Sequence, residues 1–367
     1  MLATASLLCA LALTAPARPF PLMVGDLAPP VRVAKFVKGA PVARFDRNHV
    51  YVVEFWATWC GPCKDSIPHL TVLQSKYKGK ATILGVSIWE PREADVAPFV
   101  KEWAGKMGYT VARDLVENLT AKTEQERSRE SVAKGFMSKR WMVDSGWDQS
   151  GIPCAFLVDR SGRVAWIGDP LELDEPLREV IEGTYDLGKA TAEYAERMEL
   201  QAFARKERGA AQDAIRAGKP DVALEHVEKI LAKSGRFEDD NLFKFEILLM
   251  HMKQPDRAAE FMQSVAPNVS WNIPMNMAAQ MGHDAIGLTA SSVKSAIEVC
   301  VSTLKRLGKD HTWPLMNAAQ LYHRLGDKEK AVEFANRALR IAKANDIKRM
   351  GEDRDRYAAG GGSLDKP

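Results

Sequence analysis

Strand-forming runs are confined to the first half of the chain, and that break limits what the molecule can be. Up to residue 188, short β-branched runs alternate with amphipathic stretches. VRVAKF (31–36), VYVVEFWA (50–57), ATILGVSI (81–88), CAFLVD (154–159) and RVAWIG (163–168) read as strands. Helical spacing fills 62–78, 92–107, 129–143 and 174–184, and Arg160-Ser161-Gly162 predicts a tight hairpin between the last two strands. This order implies an α/β domain over 24–188, a mixed sheet flanked by helices. From residue 189 the strand-like runs vanish and Ala, Glu, Lys, Leu and Met recur at helical spacing, predicting an all-α domain over 189–350. Two cores suit a chain of 367 residues, 46% of them hydrophobic.

The helical half carries a weak repeat. GKPDVALEHV (218–227), KQPDRAAEFM (253–262), SSVKSAIEVC (291–300) and GDKEKAVEFA (326–335) align on Ala223, Ala258, Ala296 and Ala331, at intervals of 35, 38 and 35 residues. The tetratricopeptide period is roughly 34. The last unit, MNAAQLYHRLGDKEKAVEFANRALRIAK, resembles that repeat best, with Tyr322 on a first helix, Leu325-Gly326 at the turn, and Ala331 and Ala338 where helices approach closely. An irregular bundle is the alternative. The closing GEDRDRYAAGGGSLDKP (351–367) has little apolar content and reads as a disordered tail, while TEQERSRE (123–130) reads as a solvated helix start or loop.

A formal net charge of +3, with no basic run or basic–aromatic interleaving, gives no reason to expect a nucleic-acid partner. Residues 1–17, MLATASLLCALALTAPA, hold an apolar stretch from Leu7 to Leu13 and end in Ala15-Pro16-Ala17, the small-x-small pattern of a signal peptide. The expectation is an exported protein, periplasmic or extracytoplasmic; a disordered apolar tail is the plainer reading. No other apolar run approaches the roughly 20 residues that span a bilayer, so no membrane span is expected after signal cleavage. With Cys9 in the leader, Cys60, Cys63, Cys154 and Cys300 remain, too few for a disulfide scaffold in so long a chain.

WATWCGPCKDSIPHL (56–70) admits a redox pair, half of a metal site or a structural disulfide. Zinc needs two further ligands at metal spacing, and the histidines at 49, 69, 226, 251, 283, 311 and 323 are scattered, so no metal is expected. Position favours redox chemistry. The strand over 50–57 should deliver Cys60, exposed, to the N-terminus of the next helix, with Cys63 one turn in and more buried. Free N–H groups and the helix dipole favour a thiolate there. A thiolate at Cys60 attacks disulfides, and Cys63 resolves the mixed disulfide.

VVEFWATWCGPCKDSIPHL is similar to the active site of the thioredoxin superfamily, and ATWCGPC together with the leader resembles its TlpA/ResA-like extracytoplasmic branch. The resemblance covers about 24–188 and rests on W-C-G-P-C at 59–63, on Pro68 inside the helix, on GIPCAFLVDRSGRVAWIG, and on Glu54 six residues before Cys60. It implies a cis-proline at Pro153 facing the redox pair, with Ile152 offering backbone groups to a substrate strand. It also implies a buried carboxyl at Glu54 that handles protons for Cys63; a strand register slipped by one would instead turn Glu54 to solvent. Trp59 is expected as a partly exposed platform beside Cys60, and Trp56 as packing. Gly61 and Pro62 between the cysteines match the reducing members.

The implied function is an exported thiol–disulfide oxidoreductase that reduces protein disulfides, needs no cofactor beyond the Cys60–Cys63 disulfide, and draws electrons from an unidentified membrane partner. One alternative is a peroxidase-like redoxin, against which Ala57 stands where a Thr would be expected. The other is a non-enzymatic scaffold. In either case the helical repeats offer a surface for a protein partner. Two departures from the family stand out. Cys154 follows Pro153 and reads either as a third thiol within reach of the pair or as a small core residue. Residues 89–148 form an insertion that names no substrate.

Overall fold

The computed structural model describes residues 22–143, 151–234, 238–283, 285 and 287–364. The leader over 1–17, Cys9 included, lies outside them, as does the end of the insertion. The chain divides into two compact units, to Arg197 and from Met198, so the boundary falls beyond the expected 188/189.

In the first unit β2 (Val50–Trp56) is buried along its whole length because it is central. The sheet also contains β1 (Val33–Lys38), β3 (Ala81–Ser87), β4 (Thr110–Asp114), β5 (Cys154–Val158) and β6 (Val164–Gly168), in the order β1-β4-β3-β2-β5-β6. β2, β3 and β4 run parallel, whereas β1 is antiparallel to β4, β5 to β2, and β6 to β5. Side chains alternate between the faces of a strand. On one face Val52, Trp56, Ala155 and Leu157 pack with Cys63, Ile67 and Leu70 of α1 (Gly61–Lys76). On the other, Phe55 and Phe156 meet at 5.6 Å, and Trp141 lies 5.3 Å from Phe156.

Three expectations change here. β4 falls inside the stretch read as an insertion; it is short and ends in Arg113-Asp114, which hides its pattern. The helix expected over 92–107 is only α2 (Val96–Glu102), preceded by a single tight turn. The helix expected over 129–143 is instead α3 (Glu124–Lys134), followed by a wide helical turn at Ser138–Val143. α3 starts on Thr123, whose side chain and Glu126 form a reciprocal cap. The break at Gly135 has a physical cause. Asp114, buried at the end of β4, accepts from Met137 N (2.7 Å) and Ser138 N (3.0 Å), so the backbone N–H groups after Gly135 turn toward it. A Cβ on Gly135 would collide with Asp114 Oδ2 and Ser138 Oγ. α4 (Asp174–Glu182) closes the fold, ending on the left-handed Gly183.

The second unit continues from α5 (Leu187–Arg216), within which the division falls. It comprises α6 (Pro220–Ser234), α7 (Glu238–Glu246) with its continuation Ile247–His251, α8 (Pro255–Val265), α9 (Asn272–His283), α10 (Ala290–Leu307), α11 (Thr312–Arg324), α12 (Lys328–Leu339) and α13 (Ala344–Ala359). The aligned alanines 223, 258, 296 and 331 fall on α6, α8, α10 and α12, and all are fully buried. The repeat therefore selects every second helix, at the place where neighbours need a small side chain. The expected disorder over 351–367 is corrected up to residue 364, and 365–367 lie outside the described residues. α13 buries Met350 and Tyr357, with Tyr357 Oη donating to Gln320 Oε1 at 2.7 Å. Leu364 O then accepts from Leu288 N (3.1 Å) and from Arg324 Nη2 (3.0 Å). Gly362 crosses so close to α11 that a Cβ would overlap the His323 carbonyl oxygen. Two anchoring side chains and one close backbone contact order a segment whose average composition is polar.

Candidate active site

The chain leaves β2 at Trp56 and turns into α1 at Cys60, which is the N-cap. Cys60 Sγ accepts from Cys63 N at 3.1 Å, so it occupies the place where a capping oxygen usually satisfies a free helix donor. The two cysteines are joined by a disulfide, with S–S 1.97 Å and Cα–Cα 5.3 Å. Cys63 is fully buried, as its place one turn in predicts. Cys60, expected to be exposed, is only 3% accessible. In the disulfide its sulfur turns inward to Cys63, and the Ile152 carbonyl oxygen covers it at 3.6 Å. Gly61 and Pro62 are exposed, and a Cβ on Gly61 would meet nothing within 4 Å, so a partner chain has room to approach there. Pro68 lies inside α1 without ending it.

Trp59 is 52% exposed, a large apolar surface beside Cys60, while Trp56 is buried against Phe99. Trp59 Nε1 donates to the carbonyl of Trp89 at 3.2 Å. Trp89 has a φ of 56°, an uncommon conformation for a bulky residue that costs of order 1 kcal/mol and must be held by its surroundings. Glu90 helps to hold it. This buried carboxylate accepts from Thr58 N, Thr58 Oγ1 and Ser87 Oγ, each at 2.7 Å. The loop after β3 thus fixes the turn that presents Cys60. Glu90 was not singled out in the sequence; it sits in a loop with no motif around it, and only the fold brings it to Thr58.

Glu54 is fully buried, and burial pushes its carboxyl well above the ordinary carboxylate range. It pairs with Gly85 of β3 and Ala155 of β5, so alternation puts it on the Cys63 face of the sheet and the solvent-facing reading falls. Neither oxygen has a hydrogen-bond partner among the described residues. The carboxyl lies over Gly85: a Cβ there would come 3.1 Å from Glu54 Oε2, 3.3 Å from Trp56 Nε1 and 2.8 Å from Tyr109 Cε2. A glycine inside a strand pattern signals such a close approach, and Gly85 in ATILGVSI was the available clue.

The Ile152–Pro153 peptide bond is cis, and the Ile152 carbonyl faces Cys60. Cys154 begins β5 opposite Phe55, on the sheet face away from Glu54 and Cys63. It is fully buried, and burial first, then the charges of Glu54 and Asp169, push its thiol well above its usual range. Cys154 is therefore a small core residue. Cys300 is likewise buried, in α10. Among the described residues no group of three or more His, Cys, Asp or Glu is placed to hold a metal ion, and no helix is long and apolar enough to cross a membrane.

Comparison with known proteins bears on the first unit. Residues 41–99 match the thioredoxin family model. Over 169 residues the chain is 28% identical to Protein FixW of Rhizobium leguminosarum, covering 45% of this chain and 68% of that protein. Over 41 residues it is 54% identical to a thioredoxin of Staphylococcus aureus, spanning 11% of this chain and only 39% of that protein. Among solved structures, a thiol-disulfide isomerase from Corynebacterium glutamicum is similar at 19% identity, covering 43% of this chain and 97% of that one, with a TM-score of 0.33. StoA from Bacillus subtilis is similar at 18% identity, covering 41% and 99%, with a TM-score of 0.29. The first unit has a thioredoxin-like fold carrying a Cys60–Cys63 pair, and a largely helical region follows it.

Proposed function

We propose that this chain is an exported thiol–disulfide oxidoreductase that reduces protein disulfides through Cys60 and Cys63. One observation carries the reading: a disulfide at the N-terminus of α1 lies on the same sheet face as a buried carboxyl, Glu54, to which none of the described residues donates a hydrogen bond.

In the reduced protein the Cys63 N–H and the start of α1 stabilise a thiolate on Cys60, and thiols so placed have pKa values of about 3.5–7.5. The thiolate attacks one sulfur of a substrate disulfide, and the other leaves as a thiolate that takes a proton from water. The substrate backbone pairs at Ile152 and rests on Trp59, Gly61 and Pro62. Cys63 then gives its proton to Glu54 and attacks Cys60 Sγ. The mixed disulfide breaks, the second substrate thiolate departs, and the Cys60–Cys63 bond is restored. Two electrons have passed to the substrate, and an external donor must return them. Glu54 suits the role of base because its raised proton affinity matches it to a thiol near neutrality.

Cys60–Cys63 is the whole redox group in this reading, with no dissociable cofactor, and a membrane donor supplies electrons outside the cytoplasm. The second unit is a set of tetratricopeptide-like helix pairs, an arrangement supported by the buried alanines on alternate helices, and such pairs offer a surface to a protein partner. A peroxidase reading is less favoured: Ala57 carries no hydroxyl and the Thr58 hydroxyl is engaged by Glu90. Insulin reduction with dithiothreitol as electron source tests the activity. The full chain should accelerate precipitation and Cys60→Ser should abolish the acceleration; no acceleration by the wild type overturns the proposal.

A further inference from the structure

β2, β3 and β4 run parallel, so their carboxyl ends share one edge of the sheet, and Cys60 follows the end of β2. Ligands of open α/β sheets collect beyond that edge. A cavity of about 380 Å³ lies there, past the ends of β3 and β4. Its apolar lining comes from Ile88, Trp89, Pro91 and Ala94 after β3 and from Val116 and Leu119 after β4, all but Ile88 within the segment 89–148. Ala94 and Leu119 are exposed and mark its mouth. The cavity adjoins the redox turn. Trp89 O receives the Trp59 indole N–H at 3.2 Å, and Glu90, also in the lining, receives Thr58 N and Thr58 Oγ1 at 2.7 Å each. Thr58 and Trp59 directly precede Cys60, and two residues of chain span at most about 7 Å.

The charged groups in the lining are engaged by the protein itself. Glu90 is held by Thr58 and Ser87, and Asp114 by the N–H groups of Met137 and Ser138. Arg113 pairs with Glu93, and Arg92 with Asp95, each at 2.9 Å. Arg127 donates to the carbonyls of Pro91 (3.0 Å) and Lys122 (3.1 Å). Two further donors, Trp89 Nε1 and Arg113 Nε, have no partner among the described residues but are buried out of reach of an occupant. What the cavity offers is therefore hydrocarbon. Its volume sits at the small end of the range for ligand cavities, about 300–1,000 Å³, which gives room for one large side chain.

We propose that this cavity receives an apolar side chain, aromatic or branched aliphatic, of the polypeptide whose disulfide Cys60 attacks. The proposal rests on the reading of Cys60 as the attacking thiolate. An extended substrate passing over Trp59 advances about 3.3 Å per residue, so a side chain roughly two to four residues from its cysteine comes level with the cavity. The segment 89–148 thereby selects among protein disulfides by the residues that flank the cysteine.

The test uses the reduced full chain and short peptides that carry one cysteine, activated as a disulfide with 2-thiopyridine. The Cys60 thiolate attacks the peptide sulfur and the coloured pyridinethione leaves, so its release reports this step. In an otherwise Ala/Ser sequence a single Phe is moved residue by residue away from the cysteine, on both sides. With the wild type, one placement or two adjacent ones should react about tenfold faster than the peptide without Phe, the order expected from burying a large apolar side chain. Asp or Lys at the same placement should gain nothing. Ala94→Trp fills the mouth from an exposed position, where the fold should persist, and Leu119→Asp makes the rim polar; each should abolish the difference between the peptides. No favoured placement, a preference for Asp or Lys, or a Phe preference that survives either substitution overturns the cavity assignment and leaves attack by Cys60 standing. Release no faster with the wild type than with Cys60→Ser, for every peptide, overturns that reading and the cavity assignment with it.

Discussion

Replacing Glu54 by Gln should make the protein more stable as the pH rises, relative to wild type. The side chain is fully buried and hydrogen-bonded to none of the described residues, and burial lifts its pKa well above the ordinary value of 4.5. Between 4.5 and the folded value, the folded state holds a proton that the unfolded state has lost. The unfolded state therefore binds fewer protons, and stability falls as pH rises. The slope is about 1.4 kcal/mol for each pH unit in that window, and above it the full cost of burying the charge is constant. Glutamine has the same shape and does not titrate, so the variant lacks this loss while other groups cancel in the difference. The assay is urea unfolding of the oxidised full chain, followed by Trp fluorescence and far-ultraviolet circular dichroism, in paired series from about pH 5 to 8. The stability difference should widen in favour of Glu54→Gln as pH increases. A gap independent of pH would refute the raised pKa and with it the physical basis for using Glu54 as a base near neutrality.

Two other outcomes follow from the structure. Cys154→Ser should leave the reduction potential of the Cys60–Cys63 pair unchanged, because Cys154 faces the other side of the sheet; a shifted potential, or an alternative disulfide found by peptide mapping, would contradict that placement. Gly362→Ala should push the 360–364 segment off α11, and amide exchange at Leu288, which donates to Leu364 O at 3.1 Å, should accelerate; unchanged protection would show that the tail is held otherwise.

The parts legible in the sequence were those whose chemistry is local. W-C-G-P-C, the strand before it and the helix after it lie within one short stretch, so the spacing placed Cys60 at the helix start and Cys63 one turn in, while the burial of Cys60 depends on the distant Ile152 carbonyl. Glu54 was legible through the resemblance, with its face left open by one residue of register; the pairing of Glu54 with Gly85 and Ala155 fixes that face. What escaped depends on distant contacts. Glu90 matters through Thr58, and Asp114 through the turn it draws from Met137 and Ser138. β4 was lost because five residues ending in two charges do not look like a strand unless β1 and β3 flank them. Composition hides the order of the tail, since Met350, Tyr357 and Gly362 do their ordering one residue at a time.

In the proposed reaction Cys60 attacks a disulfide and Cys63 releases the product. Cys63→Ser removes the second step, so the full-length variant, reduced and then incubated with insulin, should accumulate a covalent adduct. Intact mass and peptide mapping should place one insulin chain on Cys60 and none on Cys154 or Cys300, while the wild type under the same conditions releases its substrate. No adduct with Cys63→Ser, or an adduct that persists when Cys60 is also replaced by Ser, would contradict attack by Cys60.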